Sequence, residues 1–190
     1  MTFRDKDFSG KTALVTGGAK RLGRAISLSL AKSGCDVVIH YSTSSEEAQA
    51  LCEDIEKIGA KAWAVEADFN NADGAKGIVR RAAQQAGRLD FLINNASVFP
   101  SDTMESVSFD SAVSCFKINA WAPFLLCREF AGEVGRGKII NLLDTRIVGY
   151  DWAHVAYIWS KHLLGVMTKM CAVEFAPDVA VNAVAPGLIL

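Results

Sequence analysis

Short apolar runs alternate with longer stretches of helical period along this chain. Six runs read as strands: TALVTG (residues 12–17), DVVIHY (36–41), KAWAVEAD (61–68), LDFLINNA (89–96), GKIINLLD (137–144) and VAVNAVAP (179–186). Between them the apolar positions recur three to four residues apart. Leu22, Ile26 and Leu30 mark one helix face, closed by Gly34. Residues 44–59 open on Ser-Ser-Glu-Glu, which suits a helix N-terminus, and end on Gly59, which suits a C-terminus. Further helices are predicted over residues 72–87, from about Phe109 to Ala131, and over 153–176. The alternation predicts an α/β fold, a doubly wound, Rossmann-like parallel sheet with helices on both faces, because parallel neighbours need crossover helices and those crossovers are right-handed.

Composition narrows the picture. The 190 residues are 51% hydrophobic with a net charge of -1, enough to bury one substantial core, and a single domain over residues 1–190 is expected. No basic cluster suggests nucleic acid, and no apolar run reaches the ~18 residues of a membrane span. The N-terminal segment MTFRDKDFSGK lacks the apolar centre of a signal peptide, so a cytoplasmic location is expected. Cys35, Cys52, Cys115, Cys127 and Cys171 are far apart and mostly within apolar patterns; they read as reduced core residues, with no disulfide framework or zinc site. The chain stops at APGLIL (185–190), directly after the sixth strand, at the edge where open α/β sheets put their ligands. A further C-terminal portion is therefore expected.

TGGAKRLG (16–23) is a glycine turn between the first strand and first helix. Such turns serve phosphate because glycine lets the backbone come close and a helix N-terminus offers unpaired N–H groups. An NAD site would place an acid about 20 residues on, at the end of the second strand. Here His40, Tyr41, Ser42, Thr43 and Ser44 stand there instead, and Arg21 lies at the same corner. A cation and the lack of an acid suit a 2'-phosphate, so NADP(H) is predicted over NAD(H), with Arg21 as selector. The plainer reading of Arg21 is a solvated surface charge.

Tyr157 and Lys161 stand four residues apart, on one helix face. A phenol with an ordinary pKa near ~10 exchanges protons at neutral pH if an adjacent cation lowers it, the role expected of Lys161. Asp144 lies thirteen residues before Tyr157, NNAS (94–97) ends the fourth strand, and KINAWAP carries Asn119. Together with the glycine turn and Pro186-Gly187, these motifs resemble, in order and over the whole chain, the short-chain dehydrogenase/reductase family. The resemblance implies a tyrosine proton donor (Tyr157), a lysine that holds the coenzyme ribose (Lys161) and an asparagine that anchors a water relay (Asn119). It also implies a coenzyme site built from Gly17, Lys20, Arg21, Leu22 and Gly23; His40, Tyr41, Ser42 and Thr43; Asp68 and Phe69; Asn95, Ala96 and Ser97; and Pro186, Gly187 and Leu188. A dimer or tetramer is implied in the same way.

Two departures narrow the subfamily. Most members have a small residue at Arg21 and a serine at Asp144, whereas pteridine reductases and dihydromonapterin reductases are similar to this chain at both. That likeness implies a pterin substrate contacted by Ser97, Phe99, Asp144 and Tyr157, with Phe99 stacking on its ring. Chemically, an imine nitrogen needs a proton, which a carboxyl beside Tyr157 can relay or orient. The plainer readings are that Phe99 is a rim aromatic and that Asp144 caps the following loop. A carbonyl reductase acting on a 3-oxoacyl or sugar substrate is the second reading; a non-catalytic dinucleotide sensor is a third. His154 and His162 read as surface or packing residues, as do Trp63, Trp121, Trp152 and Trp159, though Trp152 and Trp159 are also candidates for the substrate mouth. No metal is expected.

Overall fold

The structure, a computed structural model, describes residues 7–71, 73–149 and 151–188. The first six residues, Ala72 of the predicted third helix, and Ile189 and Leu190 of the last segment lie outside the described residues. Strands β1 (Thr12–Val15), β2 (Asp36–Tyr41), β3 (Ala62–Glu66), β4 (Phe91–Asn94), β5 (Gly137–Leu142) and β6 (Val179–Val184) form one sheet in the order β3-β2-β1-β4-β5-β6. Every pairing is parallel.

Alternation along the strands splits the core in two. Leu14, Val38, Leu92 and Ile139 face α3 (Ile78–Ala86) and α5 (Ala122–Glu133), packing on Val79, Leu126 and Phe130. Their neighbours Ala13, Val15, Val37, Ile39 and Ile93 face α1 (Arg21–Lys32) and α2 (Ser45–Ile58), packing on Ala31, Leu51 and Ile55.

Some boundaries differ from expectation. The buried line of α1 is Gly23, Ser27 and Ala31 rather than the flanking Leu22, Ile26 and Leu30, which are half-buried. Small residues there let the helix lie close to the glycine turn: a Cβ on Gly23 would fall 2.1 Å from the Gly17 carbonyl oxygen. The third helix starts at Ile78, after a turn in which Gly77 takes φ 77, instead of at residue 72. The long stretch from Phe109 is α4 (Phe109–Phe116), a π-turn (Lys117–Trp121) and then α5. Pro123 cannot donate to the carbonyl of Asn119, which favours a widened turn at that place. Helix α6 (Val155–Glu174) carries Tyr157 and Lys161. The strand order reverses between β1 and β4, so the carboxyl ends of the strands open on a crevice there.

Candidate active site

The glycine turn is braced from beneath. Gly17 N–H donates to His40 Nδ1 at 3.1 Å, and Gly18 N–H donates to the His40 carbonyl at 2.9 Å. Because Nδ1 accepts, Nε2 carries the ring proton and donates to the Ala67 carbonyl at 3.1 Å. The ring stacks on Phe69 with centroids 4.1 Å apart. Burial pulls the His40 pKa down to about 4, so the ring is neutral at physiological pH. His40 is thus a strut joining the ends of β1, β2 and β3; it lines the cleft, but both its nitrogens are occupied by backbone, so its ring is not free to donate to coenzyme phosphate. From the other side, Thr16 Oγ1 accepts from the N–H groups of Asn95 (2.9 Å) and Ala96 (3.0 Å). The Asn95 amide donates to the carbonyls of Thr16 (2.9 Å) and Gly17 (3.1 Å).

Over this base lies a cleft of about 820 Å³. Lys20, Arg21, Leu22 and Gly23 line one end with Ser42, Thr43, Asp68 and Phe69; Asn95, Ala96, Ser97 and Phe99 line the middle; Asp144, Tyr157, Lys161, Pro186, Gly187 and Leu188 line the other. Tyr41 is not among them: it packs into the core on the α1 and α2 side, because its position in the strand points it away from the crevice. Trp152 and Trp159 do not line the cleft either. The first turn of α1 has neither a side-chain cap nor an acid, and Lys20 and Arg21 stand beside it. This donor set fits the phosphates of a dinucleotide. Arg21 is exposed and takes φ 48, the left-handed region that favours glycine. Holding a bulky side chain there costs about 1–3 kcal/mol.

At the other end, Tyr157 Oη donates to Asp144 Oδ2 at 2.8 Å. The second carboxylate oxygen, Oδ1, accepts the N–H of Arg146 at 2.8 Å, so Asp144 both caps its loop and holds the phenol. The two readings of this residue are compatible, one per oxygen. Lys161 is 3% exposed and its ammonium donates to the Leu142 carbonyl at 2.7 Å. Burial lowers the Lys161 pKa to about 8, with Asp144 opposing. Contrary to expectation, the Tyr157 phenol is pushed up rather than down. Burial is the main cause, the hydrogen bond and negative charge of Asp144 add to it, and the Arg146 cation partly offsets them. The lysine is committed to a carbonyl, and its Nζ lies 5.5 Å from the phenol ring centroid.

Asn119 does not line the cleft. Fully buried in the π-turn, its side-chain oxygen accepts from Val98 N–H (2.8 Å) and Ser97 Oγ (3.1 Å), while its amide donates to the Val98 carbonyl (2.9 Å) and Ser160 Oγ (3.0 Å). Every bonding position of that amide is used within the protein, so it clamps the segment after β4 to α6. Phe99 is 47% exposed, set at right angles to Tyr157 with centroids 4.6 Å apart, and has one face covered by His154 at 3.8 Å. At most one face is left for a planar ligand. His154 itself pairs with Asp151 at 2.9 Å.

Two residues escaped the sequence reading. Asp102 is buried, accepting from Ala156 N–H in the first turn of α6 (3.0 Å) and from Ser111 Oγ (2.7 Å). It anchors the helix that bears Tyr157, and no local pattern signals that pairing across 54 residues. Arg146 lines the cleft two residues after Asp144, a closeness in the DTR segment that could have drawn attention. All five cysteines are buried and free.

With this geometry in hand, comparison with known proteins is informative. The pattern of the short chain dehydrogenases matches residues 11–190. An uncharacterized oxidoreductase of Methylorubrum extorquens is 36% identical over 183 residues, 95% of this chain and 74% of that protein. The 3-oxoacyl-[acyl-carrier-protein] reductase FabG of Staphylococcus aureus is 32% identical over 95% of this chain and 75% of its own. Among solved structures, FolM alternative dihydrofolate reductase 1 from Brucella canis, complexed with NADP, superposes with a TM-score of 0.87 at 32% identity, covering 94% of this chain and 73% of that one.

Proposed function

The chain belongs to the short-chain dehydrogenase family, and within it we propose that it reduces a pterin, of the dihydromonapterin, dihydrobiopterin or dihydrofolate type, using NADPH. The observation that carries this reading is the Tyr157 hydroxyl donating to Asp144 at the catalytic end of the cleft. A phenol held above its ordinary pKa is protonated at neutral pH, the form a donor needs, but is a weaker acid than a free tyrosine, so donation requires the hold of Asp144 to be relaxed during turnover. When bound, the coenzyme supplies a hydride to the carbon of the substrate C=N bond. Tyr157 would give its proton to the nitrogen, and Asp144 orients the hydroxyl and is placed to relay a proton from solvent back to the phenolate. Lys161, still protonated at neutral pH, keeps a positive charge beneath the site. The uncapped α1 terminus with Lys20 and Arg21, and the hydroxyls of Ser42 and Thr43 in place of an acid, support a phosphorylated coenzyme. The likeness to the FolM structure complexed with NADP supports both halves of the reading.

A carbonyl reductase is the second reading, favoured by the 32% identity to FabG. The apolar residues Val166, Met170 and Val173, exposed along α6, support self-association of the chain. One assay separates the substrates: purified protein with NADPH and a panel of dihydropterins, ketones and quinones, followed by loss of coenzyme absorbance. Oxidation with dihydropterins is expected. Turnover of ketones alone would favour the carbonyl reading, and no turnover of any substrate would favour a dinucleotide sensor. Asp144→Ser should lower pterin turnover by about tenfold or more, and full activity in that variant would remove the carboxylate from the mechanism.

A further inference from the structure

Asp144 poses a difficulty for proton donation. The hydroxyl of Tyr157 points its proton at the carboxylate, and a proton held there is not directed at a substrate. Something must weaken that hold during turnover. Among the described residues, the charged or titratable groups around the phenol include Asp144 and Arg146 from the loop after β5, Asp151 and His154 from the segment before α6, Lys161 from α6 itself and Cys115, buried in the same cluster. Lys161 is committed to the Leu142 carbonyl at 2.7 Å and His154 to Asp151 at 2.9 Å. Arg146 is placed differently. Its Nε pairs with Asp151 Oδ2 at 3.1 Å, while its Nη1 lies 3.9 Å from Asp144 Oδ2, the same oxygen that takes the tyrosine proton.

We propose that Arg146 is a positioning residue that decides where the Tyr157 proton points: parked on Asp151 it leaves Asp144 to hold the hydroxyl, and closing on Asp144 it frees the hydroxyl for the substrate. The movement required is small, because one oxygen of Asp144 is already at the edge of ion-pair distance. Asp151 can release the guanidinium without being stranded, since it also accepts from Ala153 N–H and pairs with His154. The backbone N–H of Arg146 stays on Asp144 Oδ1 throughout, so the loop need not unfold for the side chain to swing. A trigger is in place as well. The guanidinium lies over Phe99 at 5.0 Å from its centroid, and the Tyr157 ring stands at right angles to Phe99 with centroids 4.6 Å apart, so a planar substrate settling on Phe99 meets both Arg146 and the phenol. The cation already opposes Asp144 in setting the phenol's acidity.

This inference rests on Tyr157 being the proton donor, and its test reads the tyrosine both with and without substrate. In unliganded protein labelled with carbon-13 at the tyrosine ring carbon bearing oxygen, the Tyr157 signal is identified by its absence from Tyr157→Phe. In Asp151→Asn that signal should move toward its position in Asp144→Ser, because Arg146 then closes on the carboxylate; in Arg146→Met it should move the opposite way, because the cation that offsets Asp144 is gone. With whichever substrate of the panel turns over, Arg146→Met should lower kcat by about tenfold with little change in the KM for coenzyme, Arg146→Lys should restore part of the loss, and Asp151→Asn should raise kcat in the wild type but not in Arg146→Met. Opposite signs for the Arg146 and Asp151 variants set this role apart from a structural ion pair, whose loss from either side lowers activity alike. An unmoved Tyr157 signal in Asp151→Asn, or equal losses of kcat from both variants, would overturn the proposal. A moved signal in a protein that reduces no pterin would leave it standing and remove the pterin reading instead.

Discussion

The two ends of the cleft are built on opposite principles. At the glycine turn the supports are neutral and fixed: an imidazole with both nitrogens engaged, a threonine hydroxyl accepting two N–H groups, and glycines packed so tightly that a methyl would collide with backbone. At the tyrosine the supports are charged and close to exchange, with one arginine within 4 Å of two carboxylates. The contrast fits the roles proposed for the two ends. Phosphates are held by backbone N–H groups whose directions are preset, so rigidity favours binding. Proton transfer needs a hydroxyl that can change partner, and charges that nearly balance allow this at small cost.

The strongest way to break the comparison is at the tyrosine. Tyr157→Phe should lower kcat by about 10²–10⁴-fold while leaving the dissociation constant for NADPH almost unchanged, measured by steady-state kinetics and coenzyme titration. A large loss of coenzyme affinity would mean that the two ends are not separable.

At the rigid end, the expected effect falls on stability. His40→Ala leaves the Gly17 N–H and the Ala67 carbonyl without partners, each costing about 1–3 kcal/mol. The pH dependence has a definite sign. The folded His40 pKa is about 4, below the unfolded value near ~6.5, so the unfolded chain binds a proton that the folded one refuses. The stabilisation is fully present above about pH 6.5 and is lost as pH falls toward about 4, amounting to about 3 kcal/mol. Urea denaturation between these limits should show that slope in the wild type and a shallower one in His40→Ala.

The smallest effect sharpens the boundary between the ends. Arg21→Gly should raise the KM for NADPH about tenfold over that for NADH, because a charge-assisted contact to phosphate is lost. The same change should stabilise the fold by about 1 kcal/mol, because glycine accepts φ 48 without strain. Equal effects on the two coenzymes would return Arg21 to the status of a surface charge.

Much of this was legible in the chain. The six strands and their order of appearance follow from apolar runs separated by helical periods, and the alternation of Leu14 with Ala13 and Val15 already contains the two-faced core. The glycine turn, Asp144, Tyr157 and Lys161 were recognisable from spacing and company. What could not be read were contacts between distant segments. Tyr41 and His40 are adjacent in sequence, yet one packs in the core and the other braces a loop. Asn119 looked catalytic, and its amide is consumed by Val98 and Ser160.

By itself, then, the sequence determined the layered α/β architecture, the glycine turn and the placing of a phenol and an ammonium on one helix face, since each depends on local period and on neighbours within a few residues. The charge of Asp144 could be expected from the sequence to oppose Lys161, but only the tertiary structure decided the balance: that burial joins Asp144 in pushing the phenol up, that Lys161 turns to a carbonyl, that His40 is neutral, and that Arg146 stands between two acids. A group's charge depends on how deeply it is buried and on what lies within a few ångströms, and both are set by how distant segments meet.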